Sequence, residues 1–418
     1  MPSLPVFKDC FDCSVTVRQE DSRAGEKYVN GYFHSVLNYK KFSEWSHIVD
    51  GVTDDCPLTY LLAVDYAICT QQLTLADNML MKAQNCQMQA RERTYNAALV
   101  EFRNGDLRES AKAWRSVLKK WPKDMFALKR AQVLGPFCGD TNSALKAAER
   151  CKPSREFFPA MYAFGLCEAG FFERAEQVCL EQDLYIESPG SSHPDFWLHH
   201  ALLHAYFGQG KAEEAYTFCK SVQQYWVDGA STLHPFLPSH LWWHFGLIFL
   251  ELDDLQSALK LFDTVIWGQL DADSKADGDC RYNAADLLCR LSVRRPANID
   301  LESRMIALLQ HIEEETRIFD IGPGNALLGL LQIYMRKYTG KNADDHVAAY
   351  VQGISPLKGI SPLKGVRASG TLTLAQRDGS AGMYAMCANA LNYFGNAKHW
   401  GGAARQAAEA LRPFLSES

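Results

Sequence analysis

Apolar positions return every three or four residues in block after block of this chain. "PLTYLLAVDYAICTQQLTLADNMLMKAQ", "FRNGDLRESAKAWRSVLKKW", "DFWLHHALLHAYFGQGKAEEAY" and "HLWWHFGLIFLELDDLQSALKLF" all carry the pattern. That period marks amphipathic helices, each with one face turned to a core. β-branched alternation with period two is scarce, so a sheet is not expected. "NGYFHSVLNYKKFSEWSHIV" on the N-terminal side, and "LESRMIALLQHIEEETR", "GNALLGLLQIYMRKY" and "SAGMYAMCANALNYF" on the C-terminal side, continue the helical period.

The helices repeat. A loop glycine is followed five residues later by a small residue at Gly105 and Ser110, Gly139 and Ala144, Gly170 and Ala175, and Gly210 and Ala215. In "LDDLQSA", Asp253 stands in the glycine place before Ala258. The small residues lie 34, 31, 40 and 43 positions apart. Such a glycine ends one helix, and the small residue opens the buried face of the next. The last copy is the cleanest. Trp242, Phe245, Gly246 and Phe249 share a helical face, and Ala258, Phe262 and Val265 follow, so that large and small residues let two antiparallel helices approach closely. Pro122 in "KKWPKD" sits just past a predicted helix end.

These stretches resemble the tetratricopeptide repeat, best over Trp242–Val265, over roughly residues 95–268. The order of "FRNGDLRESAKAWRSVLKKWPKDMFALK", "DFWLHHALLHAY", "HLWWHFGLIFLELDDLQSALKLFD", "NAADLLCRL" and "AQRD" is similar to that of the tetratricopeptide repeat protein 38-like family. The resemblance implies an all-α fold: a right-handed superhelical solenoid of antiparallel helix pairs. Residues 1–94 would form a helical cap or degenerate repeats, 95–268 the repeats, and 269–418 a helical extension. The duplicated "GISPLKGISPLKG" would form a flexible loop near 352–372, since glycine and proline at that density forbid a helix.

Composition excludes several functions. The chain has 418 residues, 47% hydrophobic and 22% charged, with a formal net charge of −6. A weakly acidic chain without a lysine or arginine block offers no footprint for nucleic acid or anionic lipid. The N-terminal "MPSLPVFKDCFDC" does not read as a secretory signal, and the most apolar stretch, Leu241–Leu252, is half a membrane span with His244 and Glu251 in it. The 13 cysteines are odd in number and scattered, which fits free thiols in a reducing, cytoplasmic setting. Cys10 and Cys13 form the single C-x-x-C, and with no second pair they read as small apolar side chains near a loose end.

Histidine carries the candidate chemistry. Seven of the 12 histidines fall between His193 and His244. His200 and His204, then His240 and His244, form two H-x-x-x-H pairs in successive repeats. On a helix, residues four apart share a face about 6 Å apart, the geometry of a two-histidine chelate. Advancing 100° per residue from Ala215 and Ala258 puts these four roughly opposite the packing face. In the tetratricopeptide repeat, that face lines the concave groove. Trp197, Trp243, Glu251 and Arg377 are expected to line it with them, and Asp195 or Glu251 could serve as ligand or acceptor. Polar groove filler is the plain alternative, and His193 and His199 fit it.

The family resemblance implies that both histidine pairs and Asp378 of "AQRD" are shared positions. It also implies an Asp-x-His after the following helix, where this chain reads "FDIGPGNALLGLL", and an aspartate where it has Asn283. Other motifs fail. "DADSKADGD" misplaces the glycine of a calcium loop, no G-x-S-x-G or phosphate-binding loop occurs, and Cys219 sits at a packing position.

Two functions are open on sequence. One is a binding protein that takes a protein, peptide or small molecule in a histidine-rich groove. The other is an enzyme. There His200, His204, His240 and His244, with Asp378 as a further candidate, would hold a divalent metal (zinc or iron) or move protons. C-terminal helices bearing Arg377 and Asp378 would cap the groove.

Overall fold

The computed structural model describes residues 6–314 apart from 18–22, 71, 105, 138–141, 154–155, 189–190 and 295–298, together with 331, 335–336 and 338–340. Arg377, Asp378, segment 319–330 and the duplicated segment 353–365 lie outside the described residues.

Helices dominate, as the apolar period predicts. A hairpin of β1 (Val6–Lys8) and β2 (Ser14–Thr16) comes first. Then follow α1 (Arg23–Leu37), α2 (Phe42–Trp45), α3 (His47–Asp50), α4 (Pro57–Cys69), α5 (Leu73–Gln84) and α6 (Ala90–Arg103). Next come α7 (Leu107–Lys120), α8 (Met125–Phe137), α9 (Ser143–Ala148), α10 (Phe158–Glu168), α11 (Phe172–Leu180) and α12 (Phe196–Gln209). The last are α13 (Ala212–Gly229), α14 (Phe236–Glu251), α15 (Leu255–Leu261), α16 (Ala272–Ala276), α17 (Gly278–Val293) and α18 (Glu302–Glu314), with a π-helical turn at Phe262–Ile266 after α15. Among the described residues, no helix is long and apolar enough to cross a membrane.

Two compact units emerge from the packing: Met1–Ala201 with Ser231–His234, and Leu202–Ala230 with Pro235–Ser418. In the first, α6, α7, α8, α9, α10 and α11 each pack on the next in chain order. Connectors as short as Ala169–Phe171 leave two packed helices no arrangement but an antiparallel one. In the second, α13 packs on α14, and α14 on α15 and α17.

The repeat signal lands where it should. Ser110, Ala144, Ala175, Ala215 and Ala258 are all buried. Ser110 also donates its hydroxyl to the Ala98 carbonyl at 2.8 Å, which ties α7 to α6. The turns are left-handed at Gly170 (φ 86°), Gly210 (φ 71°) and Asp253 (φ 59°). Aspartate tolerates that backbone better than most side chains, which accounts for its standing in the glycine place. Its neighbour Asp254 caps α15 by accepting from Ser257 N–H at 3.0 Å. Gly246 makes a close approach as expected, and with a second partner. A methyl group there would lie 3.2 Å from Leu287 of α17 and 3.5 Å from Ile266, in the π-helical turn that continues α15.

The N-terminus differs from expectation. Asp9 closes the hairpin by accepting from Phe11 N–H and Cys13 N–H, each at 3.0 Å. Its other oxygen takes Arg91 of α6 at 2.5 Å, so the segment is anchored rather than loose. Thr16 adds two bonds to the Glu92 carboxylate at 2.8 and 2.9 Å. Strands of three residues are too short to show alternation in the sequence. Burial pushes the Cys13 thiol up to about 12 and raises Cys10 as well, against thiolate chemistry at C-x-x-C. The eleven described cysteines are all free thiols.

Candidate metal centre

Helix α12 begins where Asp195 accepts from the N–H groups of Trp197 at 2.9 Å and Leu198 at 3.2 Å. That bond is an N-cap, so Asp195 is committed to starting the helix and is not part of the imidazole group. The helix then carries His199, His200 and His204. His199 Nε2 meets the Leu184 carbonyl at 2.7 Å, and His193 Nδ1 the Pro194 carbonyl at 2.9 Å. Both therefore secure backbone of the connecting segment, as filler residues would. Burial pushes the His199 imidazole down to about 4.

Helix α14 carries His240 and His244 one turn apart. Within the second unit, the His244 ring lies edge-on to His204 at 4.6 Å and to His240 at 4.7 Å. His200, at the end of the first unit, precedes His204 by one turn of the same unbroken helix. One ligand nitrogen from each of His200, His204, His240 and His244 lies within 4.8 Å of the others. His200, His204 and His244 are buried, and His240 is partly so. They do not form the exposed lining expected of an open groove.

Four protonated imidazoles cannot share this space. Two unit charges about 4.8 Å apart repel by about 3 kcal/mol at an effective dielectric constant near 20. Burial pushes His240 down to about 4, in spite of a hydrogen bond that favours its charged form. A tetrahedral ion at about 2.1 Å from each nitrogen needs neighbours about 3.4 Å apart, so the widest pair must close by ~1.4 Å. Small side-chain rotations cover that distance. An all-nitrogen donor set suits zinc, copper, nickel or iron, and not calcium or magnesium.

Helix α17 backs the site with one polar face. Asn283 is fully buried. Its Nδ2 donates to Ser239 Oγ at 3.2 Å, which leaves Oδ1 facing His240 Nδ1 at 3.0 Å. An amide oxygen only accepts, so Nδ1 carries the proton and Nε2 the ligating lone pair. Three residues on, Asp286 accepts from Trp243 Nε1 at 2.8 Å and pairs with Arg290 at 2.5 Å. Trp243, so fixed, stacks on His240 at 4.8 Å with the planes 16° apart. Phe236 stacks on the same imidazole at 5.1 Å. In the first unit, Trp197 stacks on His200 at 4.2 Å.

Of the predicted residues, the four histidines come together, with Trp197 and Trp243 against their rings. Glu251 is exposed at the end of α14 and is not in the group. Cys219 is fully buried, and burial raises its thiol well above the ordinary range, which fits core. Ser239, Asp286 and Arg290 were not foreseen. The signal for Asp286 and Arg290 was available in "NAADLLCR", where Asn283, Asp286 and Arg290 recur at helical spacing.

No protein-family model matches the chain. Among solved structures, this chain is similar to the apo form of the quorum sensor NprR from B. thuringiensis, at 13% identity and a TM-score of 0.45, over 94% of this chain and 98% of that one.

Proposed function

We propose that this chain is a helical-repeat protein that binds a divalent transition-metal ion, zinc or iron, through His200, His204, His240 and His244. The observation that carries it is the convergence of four ligand nitrogens from two helices within 4.8 Å. Burial favours an ion over a peptide, because a peptide needs exposed surface and an ion needs only its donors. Four histidines fill a tetrahedral shell, which supports holding a metal over hydrolysis at an open position. The same reading groups the chain with the tetratricopeptide repeat protein 38-like proteins, on the order of its repeats and both histidine pairs.

Metal content by mass spectrometry tests it, on protein made without a polyhistidine tag and equilibrated with zinc or ferrous iron before gel filtration. The expected result is near-stoichiometric metal in the parent and little in a His200→Ala/His244→Ala double variant. Equal metal in both, or none in either, overturns it.

A further inference from the structure

Among its described residues the first unit buries three cations, Arg91 and the adjacent Lys129 and Arg130, and treats one differently. Arg91 meets Asp9 and Asp124, and Arg130 meets Asp65. Lys129 is as deeply buried, yet among the described residues no carboxylate lies within ion-pair distance of its amine. Nζ instead lies 3.8 Å from the centroid of the Tyr39 ring and 3.9 Å from that of Trp197, and it donates to the Tyr39 hydroxyl.

Magnitudes decide the charge state. A desolvated cation–π contact is worth about 2 kcal/mol, whereas removing an ammonium from water costs several. Two charged groups bear on the amine. Arg130 pushes it further down, and Asp195 pulls it up. The Asp195 pull is the larger of the two, and burial outweighs it. Burial dominates and lowers Lys129 well below the ordinary lysine range.

The surroundings are built for use. Tyr39 ends α1 in a left-handed backbone (φ 52°), a position where glycine is usual and a tyrosine costs about 1 kcal/mol. Such strain persists where the side chain is needed. Tyr39 is only half-buried, so the amine is one side chain from solvent. Trp197 is nine-tenths buried, and among the described residues its Nε1 has no hydrogen-bond partner, which leaves an unused donor on the ring that the amine lies over.

We infer that Lys129 is a nucleophilic amine that forms an imine with a small aldehyde, with Tyr39 as its proton carrier and Trp197 Nε1 as donor to the aldehyde oxygen. The nitrogen lone pair attacks the carbonyl carbon, and the carbonyl electron pair moves to oxygen. The Tyr39 hydroxyl gives that oxygen a proton and recovers one from nitrogen. A second proton relayed the same way lets water leave, and the C=N bond forms. One amine and one aldehyde give one imine and one water, with no redox partner. The inference does not depend on the metal.

Acetaldehyde with sodium cyanoborohydride traps the imine as N-ethyl-lysine, and peptide mapping reads each site. On intact protein at pH 7, Lys129 is expected to be modified at least tenfold faster than the exposed Lys112 and Lys123. Its rate should level off at lower pH than theirs. Tyr39→Phe should slow Lys129 and leave the surface lysines unchanged. Modification of Lys112 and Lys123 with Lys129 untouched would overturn the inference and leave Lys129 a packing residue. Equal rates and pH profiles at all three sites would overturn it too.

Discussion

Around Arg91, acid meets base. Its guanidinium is held between Asp9 at 2.5 Å and Asp124 at 2.8 Å, and the Tyr95 hydroxyl also donates to Asp124. Around His244, base meets base. Two further imidazoles touch its ring, and the four-residue group contains no carboxylate. Both regions are buried, so both carry the desolvation cost of polar groups. The arginine network answers that cost internally, which is how a structural device behaves. Four imidazole nitrogens gathered in one place offer lone pairs that a metal ion could accept, and the proposed ion would be that partner.

The largest effect should come from breaking the self-contained network. Arg91→Met leaves Asp9 and Asp124 buried without their cation, a change that costs about 3–5 kcal/mol. Urea unfolding should show the loss in the transition midpoint. A cost under about 1 kcal/mol would mean that the two carboxylates take protons with ease, and the contrast with the histidines would collapse.

Acid should separate the two regions next. The His199 imidazole sits at about 4 when folded and near 6.5 when unfolded. Between these values the unfolded chain binds a proton that the folded chain refuses, so stability falls as pH falls. The contribution is full above about pH 6.5, declines toward pH 4, and amounts to about 3 kcal/mol. Melting temperatures from pH 7.5 to 4.5 should drop steeply, and His199→Gln should flatten that slope. An unchanged slope in the variant would remove His199 from the account.

Zinc should then act on the imidazole region alone. A ligand at about 100 times its Kd stabilises the folded state by about 2.7 kcal/mol. Calorimetry should show a zinc-dependent rise in Tm for the parent and for Arg91→Lys, and none for His204→Ala. A rise that survives His204→Ala would place the ion elsewhere.

Much of this was legible in the sequence, for physical reasons that differ by residue. Ser110, Ala144, Ala175, Ala215 and Ala258 announced themselves because helix contacts demand a small side chain at a fixed distance from a turn. The H-x-x-x-H pairs were legible because a four-residue interval means one face on any helix. Asp195 misled, since a carboxylate just before a helix can ligate or cap and its position favoured the cap. Lys129 was silent, because lysine on an amphipathic helix usually faces water. Only the three-dimensional neighbours Tyr39 and Trp197 show that this one does not.

The smallest of the expected effects probes the support of the imidazole cluster. Asn283 fixes the His240 tautomer through one hydrogen bond, and its own orientation is set by Ser239. Removing such a support usually lowers metal affinity 10–100-fold, or about 1.4–2.7 kcal/mol. Competition titration with a zinc chelator should place Asn283→Ala in that range. Asn283→Asp should go the other way, because a carboxylate at the same atom makes the imidazole a stronger donor. On the proposed metal reading, the asparagine would set a weaker and more exchangeable site than an aspartate. If both variants bind zinc as the parent does, Nδ1 of His240 is not held by Asn283 in the loaded protein. The imidazole has then turned to ligate through its other nitrogen, and α17 is packing rather than support.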